Sequence, residues 1–380
     1  MDQTALEYCG DRRGAKAGRI TAYGAAAAIG MWGTPISSRV PRRFTALGAA
    51  ALIAVLGAMG LMLGGYPAKA AARDASTPIP LDCDRACLRN LVDEYLAAVV
   101  AHDPSRLPLS EDVIYTENDQ VLDVGDGFWN TVTGRGSYSH YFADPVMEEA
   151  GWMGTMTEKG GSLLMTLRLR VQLGRITEIE TSYFRKGGGG PNDIAGLDAK
   201  SSPGPLWLAS VPQAQRASRS ELIAVANAYF EGIQRDDGKG YYPMTDDCDR
   251  IENGAETTNH PTGPTTPGGF NYMGLSCKAQ LESGYLGIVT NIHDRRFPLV
   301  DLERGVVWAY AVFDMGGTVK TIKLANGETA DMSAFAGRAS SIEATEAFKI
   351  ENGKIRRVEM IGSSAPYHLN PAWPGGLSGR

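Results

Sequence analysis

Leu88, Leu91, Val92, Tyr95, Leu96 and Val99 fall at i, i+3, i+4, i+7, i+8 and i+11, the apolar stripe of an amphipathic helix. Leu222, Val225, Ala226, Tyr229, Phe230 and Ile233 repeat that stripe 134 residues later, and Asp103 and Asp237 keep the spacing. Glu117-Asn118 and Glu252-Asn253 then match at 135, so one inserted residue separates two parallel readings. Each copy closes on a similar hairpin, Val171 to Glu180 and Ile350 to Glu359, with equivalent residues now 179 apart. The drift from 135 to 179 predicts about 44 extra residues inside the second copy. A period this long is domain duplication rather than a solenoid.

Behind each helix the period changes from 3.6 to 2. Asp103-Pro104 reads as an N-cap with proline at the first helical position, opening a short second helix. Val113 to Glu117 reads as a strand with Val113, Tyr115 and Glu117 on one face. In Ser162 to Val171, Leu163, Met165, Leu167, Leu169 and Val171 alternate with Thr166, Arg168 and Arg170, and Ile176 to Phe184 returns after the Gly174 turn. In the second copy Cys277 to His293 reads as helical and Val306 to Met315 as a buried strand. Helices followed by long antiparallel strands predict an α+β class with the helices on one face of each sheet. The expected organisation is a leader over 1–70, a first domain over 83–186, a Gly/Pro/Ser-rich linker over 187–216 and a second domain over 217–370. The insertion is expected at about 254–300, a tail follows over 371–380, and the Pro/Gly-rich stretch from Pro366 onward is expected along the surface. Trp207, in the apolar part of the linker, should dock on a domain.

Composition changes this picture mainly at the N-terminus. Phe44 to Tyr66 carries no charge, follows Arg39, Arg42 and Arg43, and precedes Ala68-Lys69-Ala70, the order of a secretory signal peptide. An uncleaved single-span anchor is the alternative, since an uncharged run of this length can cross a bilayer. Either way the rest of the chain is expected in a periplasmic or extracellular compartment. Residues 1–70 hold eight Lys/Arg and three Asp/Glu, net +5, so the remainder carries −11 of the total −6. That acidic balance argues against nucleic acid as a partner and leaves membrane contact to the N-terminal segment. Outside the leader, Cys83, Cys87, Cys248 and Cys277 form an even set in an exported chain, so disulfides are the expectation. Cys83 and Cys87 lie close enough to bridge, and Cys248 with Cys277 would tie down the insertion, although four cysteines allow three pairings.

An L-x-x-Y-[LF] helix, an Asp opening a second helix, an early strand and a closing V-x-x-G-[RK]-I-x-x-[IV]-E hairpin together resemble the nuclear transport factor 2-like superfamily, which includes SnoaL-like polyketide cyclases and ketosteroid isomerase. The tandem form, with CDRACL before the first copy and RRFPLVDLERG in the second, more narrowly resembles an uncharacterised family of exported double-domain proteins. The resemblance implies two tandem cone-shaped domains, each a curved antiparallel sheet wrapped around N-terminal helices and a pocket. It implies a small apolar or carbonyl-bearing ligand and no cofactor. Two function classes follow: cofactor-independent acid/base chemistry (isomerisation, dehydration or hydrolysis), or a non-catalytic ligand-binding or assembly module. In the second class sheet faces pair the two domains or two chains, the latter as a homodimer.

The candidate catalytic residues are the duplicated carboxylates Glu117 and Glu252, with Tyr115 as a donor on the same strand face as Glu117 and His140 as a relay from the aromatic cluster YSHYF. Candidate ligand contacts are Asn118, Asp144, Asn253, Arg295, Tyr310 and Asp314. Each has a plainer reading: Asn118 and Asn253 as left-handed turn residues, His140 as a buried histidine, and His293-Asp294-Arg295-Arg296 as a salt-bridged junction. Arg250 stands where the first copy has Tyr115, so the copies differ chemically. The chain has no G-x-S-x-G, G-x-x-x-x-G-K-[ST], G-x-G-x-x-G or H-E-x-x-H, and its histidines show no metal spacing.

Overall fold

In the computed structural model the described residues are 76–188, 190–235, 237–263, 265 and 270–373. The apolar run, the cleavage site and Cys9 lie outside them. Among the described residues no helix is long and apolar enough to cross a membrane.

The first helical stripe forms α1 (Arg85–Val100), capped by the Asp84 carboxylate, which accepts from the Cys87 amide at 2.9 Å. All six stripe residues are buried. Six strands follow: β1 (Leu109–Glu117), β2 (Gln120–Leu122), β3 (Val132–Asp144), β4 (Glu149–Glu158), β5 (Gly161–Gln172) and β6 (Arg175–Arg185). They pair in the order β2-β1-β6-β5-β4-β3, antiparallel except for β1 beside β6. Two short linker helices, α2 (Ile194–Lys200) and α3 (Pro205–Leu208), lead to α4 (Arg219–Arg235). Ser218 and Glu221 start α4 with a capping box: the Ser218 amide donates to Glu221 at 2.8 Å and the Glu221 amide to Ser218 Oγ at 3.3 Å. Then come β7 (Met244–Glu252), β8 (Ala255–Glu256), α5 (Cys277–Glu282), β9 (Asn291–Asp301), β10 (Val306–Met315), β11 (Thr321–Lys323), β12 (Thr329–Asp331), β13 (Ser340–Glu351) and β14 (Lys354–Ala365). The second large sheet runs β8-β7-β14-β13-β10-β9, the order of the first, with β7 parallel to β14. Each sheet closes on its own helix, α1 or α4, and has its own apolar core.

The outer faces of the two sheets pack together in one apolar cluster. Thr166 Oγ1 and Thr345 Oγ1 meet across this seam at 3.3 Å. They are 179 residues apart, the offset of the closing hairpins, so equivalent residues face each other where a local two-fold axis crosses. The last Glu of each repeated hairpin reaches to the opposite sheet: Glu180 pairs with Arg296, and Glu359 lies 2.7 Å from His140 Nδ1 and accepts from Tyr138 Oη at 2.8 Å. The two motifs CDRACL and RRFPLVDLERG also join here, through Arg85 bound to Asp301 at 2.6 Å and to Glu303 at 3.0 Å. The seam takes up these two sheet faces within the chain, so neither is free to pair with a second copy, as the homodimer expectation required.

Three further expectations are corrected. The insertion is divided: the offset is 135 at Asn118/Asn253, 157 at the strand partners Met153 and Tyr310, and 179 at Thr166/Thr345. The surplus therefore enters once before β9 and again between β10 and β13, where β11 and β12 form a two-stranded sheet. The helix from Cys277 ends at Glu282, because Gly284 turns to φ +71 and the β-branched residues beyond it lead into β9, which holds His293. The tail does not simply lie on the surface: Trp373 is 6% exposed and its Nε1 donates to Thr116 Oγ1 at 2.9 Å.

Candidate functional site

The second cone encloses a cavity of about 220 Å³. Its walls are largely apolar, including Ile233, Leu286, Val289, Phe313, Ile342 and Met360. Polar side chains also line it, among them Tyr229 from α4, Arg250 and Glu252 from β7, and Glu346 from β13. Alternation on β13 sends Ala344, Glu346 and Phe348 into the cone and Thr345 and Ala347 to the seam. Glu346 is 2% exposed, and its Oε2 has no hydrogen-bond partner. Burial pushes its carboxyl up to about 8; Arg250 and Tyr229 oppose this and Glu252 reinforces it.

Arg250 is buried and held from several sides. Its Nε contacts Glu252 Oε1 at 2.9 Å and donates to Thr257 Oγ1 at 3.2 Å, while Nη1 donates to Tyr229 Oη at 3.3 Å. Nη2 donates to Gln280 Oε1 at 2.5 Å. Gln280 belongs to α5, which the Cys248–Cys277 disulfide fastens to β7. Its Nε2 donates to the carbonyls of Thr257 at 2.6 Å and Tyr272 at 2.9 Å, which fixes its orientation. The second copy's insertion is thus part of the site wall. The other disulfide, Cys83–Cys87, sits at the start of α1.

In the first cone Tyr115 donates to Glu117, as their shared strand face allows, and the Phe128 amide donates to the same carboxylate oxygen at 2.6 Å. Burial raises the Glu117 pKa, and these two bonds oppose the shift. Phe128 and Trp129 fill the cone's interior: Trp129 stands edge-on to Tyr95 at 5.5 Å and Phe128 lies 4.5 Å from the Tyr183 ring. The turn carrying them passes so close to Glu117 that a Cβ on Gly127, already at φ +62, would collide with the carboxyl.

The structure does not bring the other candidates to these cones. His140 shares the seam face of β3 with Tyr138 and Phe142, and it packs 4.9 Å from Trp207; it is not beside Tyr115 and Glu117. Asp144 accepts from Arg219 and from the Val300 amide, tying the first sheet to the second copy. Tyr310 faces the seam beneath Arg296, whose guanidinium lies 4.5 Å from its ring. Arg295 reaches Gln234 and Asn227 on α4. Asn118 and Asn253 are left-handed, at φ +44 and +47, and bond equivalent backbone positions, Tyr183 and Gly362, on the neighbouring parallel strand. Asn253 also borders the cavity. Asp314 points away from the cone, toward His293 and His368. Glu346 was not among the candidates, yet its signal is present: a carboxylate interrupting the apolar alternation Ile342, Ala344, Phe348, Ile350.

Residues 215–362 match the model of a domain of unknown function, DUF8021. No curated protein matches the chain. Solved structures similar to it include a nuclear transport factor 2-like protein of unknown function from Cytophaga hutchinsonii (14% identity, 26% of this chain and 89% of that one, TM-score 0.22). A protein from Kribbella flavida provisionally assigned as a ketosteroid isomerase is 15% identical over 28% of this chain and 83% of its own, TM-score 0.23. One from Xanthomonas campestris provisionally assigned as a polyketide cyclase is 16% identical over 38% and 92%, TM-score 0.24. The architecture is defined by strand order and by what fills each sheet. The class expected from the sequence, α+β with two tandem cones, is the one observed.

Proposed function

We propose that the chain binds a small carbonyl-bearing molecule in the second cone and transfers a proton there without a cofactor. One observation carries this reading: Glu346 lines an apolar cavity, and its Oε2 is buried without a hydrogen-bond partner. A buried polar atom left so costs about 1–3 kcal/mol, which a ligand atom hydrogen-bonded to it would recover. With its pKa at about 8, Glu346 is protonated at neutral pH and can donate to a ligand carbonyl, polarising the adjacent C–H bond. Glu252, salt-bridged to Arg250 at the cavity wall, is the proposed base for that proton, and Tyr229 a second donor. The first cone, filled by Phe128 and Trp129, is assigned a supporting role. Deuterium uptake from D₂O beside the carbonyl of a panel of small ring ketones tests the reaction. Glu346→Gln should lower uptake about 10²- to 10⁴-fold, the usual contribution of a positioned acid or base. Undiminished uptake removes Glu346 from the mechanism, whereas binding without uptake in the unaltered protein leaves the ligand-binding module.

We further propose that the chain is exported and works with both disulfides closed. The support is the basic, apolar, small-x-small order at the N-terminus together with the two bridges. Thiol titration of denatured, unreduced protein recovered from the periplasm or medium should find all four of these cysteines blocked; four free thiols would remove this reading.

A further inference from the structure

At the far end of β10, on its seam side, three metal-ligating side chains converge from separate segments. One ligand atom from each of His293, Asp314 and His368 lies within 4.8 Å of the other two. Asp314 Oδ2 is 3.3 Å from His293 Nε2 and 2.7 Å from His368 Nδ1. Ligands about 2.0–2.2 Å from a tetrahedral ion stand roughly 3.3 Å apart, so the first separation fits as it is and the second needs a small outward shift. The His368 side chain is 65% exposed and has room for that shift.

The surroundings prepare each ligand atom. His293 Nδ1 lies 2.7 Å from Asp294 Oδ2, which fixes the ring and turns Nε2 toward Asp314. That Nε2 is buried and has no hydrogen-bond partner. With the proton on Nδ1, Nε2 presents a lone pair to a carboxylate oxygen, an arrangement that a cation between them stabilises. A carboxylate behind a ligating histidine is the usual outer partner in metal sites. On Asp314 the other oxygen is already engaged, accepting from Ser341 Oγ at 2.5 Å and the His368 amide at 3.2 Å, which leaves Oδ2 for an ion.

We propose that His293, Asp314 and His368 bind one divalent transition-metal ion of the Zn²⁺ class and that the ion fastens the C-terminal tail to β10. Two imidazoles and one carboxylate suit such an ion, and the exposed side leaves a fourth position for water. The tail it would fix runs on to Trp373, which is docked against Thr116 and lies 5.1 Å from the Arg168 guanidinium in the first copy. One ion would therefore steady the strap that links the end of the second copy to the first.

The test is calorimetric titration of ZnCl₂ into the purified, untagged chain after chelator treatment. One equivalent should bind, raising Tm and slowing proteolytic loss of the tail. His368→Ala, which removes the imidazole beside Asp314, should weaken binding at least tenfold while leaving the far-ultraviolet circular dichroism unchanged. Asp294→Asn should weaken it by a smaller factor, through the ring it orients. Absence of saturable Zn²⁺ binding overturns the proposal, and so does undiminished affinity in His368→Ala, which would place the ion at other groups. Neither result bears on the second cone, whose carboxyl belongs to a different face of the sheet.

Discussion

The two cones share a helix, a strand order and a closing hairpin, yet they spend their interiors differently. At equivalent positions the first has Tyr95, Tyr115 and Leu167 where the second has Tyr229, Arg250 and Glu346. The first adds Phe128 and Trp129 as a plug, while the second leaves about 220 Å³ open between Leu286, Val289 and Phe313. In the filled cone Tyr115 donates to Glu117, while Tyr95 Oη and Trp129 Nε1 are buried without a partner and, among the described residues, no cavity opens beside them for a ligand to reach. An open cone with a buried guanidinium needs neighbours to hold it, and the second copy supplies them from its insertion through Gln280 and the disulfide behind it. Duplication has thus left one copy filled and the other with an open cavity, the difference on which the proposed ligand site rests.

The largest test of that division is to give the second cone the first cone's residue. Glu346→Leu should abolish ketone deuterium uptake altogether, and Glu346→Gln should cut it about 10²- to 10⁴-fold. Leu167→Glu, the reverse exchange, added to Glu346→Leu should restore no activity, since the first cone lacks both the opening and the arginine. Uptake returning in that double variant would break the comparison, by showing that the plug is not what separates the copies.

Removing the plug comes next in size. Trp129 is 1% exposed, so Trp129→Ala should cost about 3–5 kcal/mol of stability while leaving ketone uptake by the second cone intact. Urea titration measures the first quantity and deuterium uptake in the same preparation the second. A loss of uptake greater than the unfolded fraction explains would mean that the first cone takes part in the reaction.

The carboxyl itself makes stability depend on pH. A group whose pKa rises on folding contributes stability that is whole below its unfolded value, near 4.5, and lost as pH climbs through its folded value, here about 8. Glu149, pushed up to about 7 by burial in spite of Arg168, acts in the same direction in both wild type and variant. Between pH 5 and 9 the wild-type Tm should therefore fall more steeply than that of Glu346→Gln, with the curves converging toward pH 5. Parallel curves would show that Glu346 is ionised in the folded protein across this range.

Much of the architecture is legible in the sequence because repetition and periodicity carry it. The helical stripes at constant offset, the alternation of β5, the closing hairpins and the cysteine pairs all read directly. Which strand face lines a cone does not. Both faces of each sheet are buried, one on a helix and one in the seam, so the polar-out, apolar-in contrast that normally orients a strand is missing. His140 and Tyr310 face the seam and not a pocket, and parity alone sets His140 opposite Tyr141, which bonds Asp93 on α1. Glu180 and Glu359, duplicated as clearly as Glu117 and Glu252, turn out to secure the seam. Repetition marks what both copies need, and both need the seam. A site present in only one copy leaves no repeat, so Glu346 gives only the weak signal of one charge in an apolar row.

The smallest expected effect probes the axis of that seam. Thr166 and Thr345 are buried and bond each other, one from each copy. Thr166→Val or Thr345→Val alone leaves one hydroxyl buried without a partner, at a cost of about 1–3 kcal/mol, whereas replacing both removes the unmet group along with the bond and can be nearly neutral. The double variant should therefore be more stable than either single one, with the two single variants similar because the two environments are related by the local axis. Urea unfolding of the four proteins gives the coupling directly. Additive losses would mean that the two hydroxyls do not pair in solution and that the copies meet out of the register their shared offset of 179 requires.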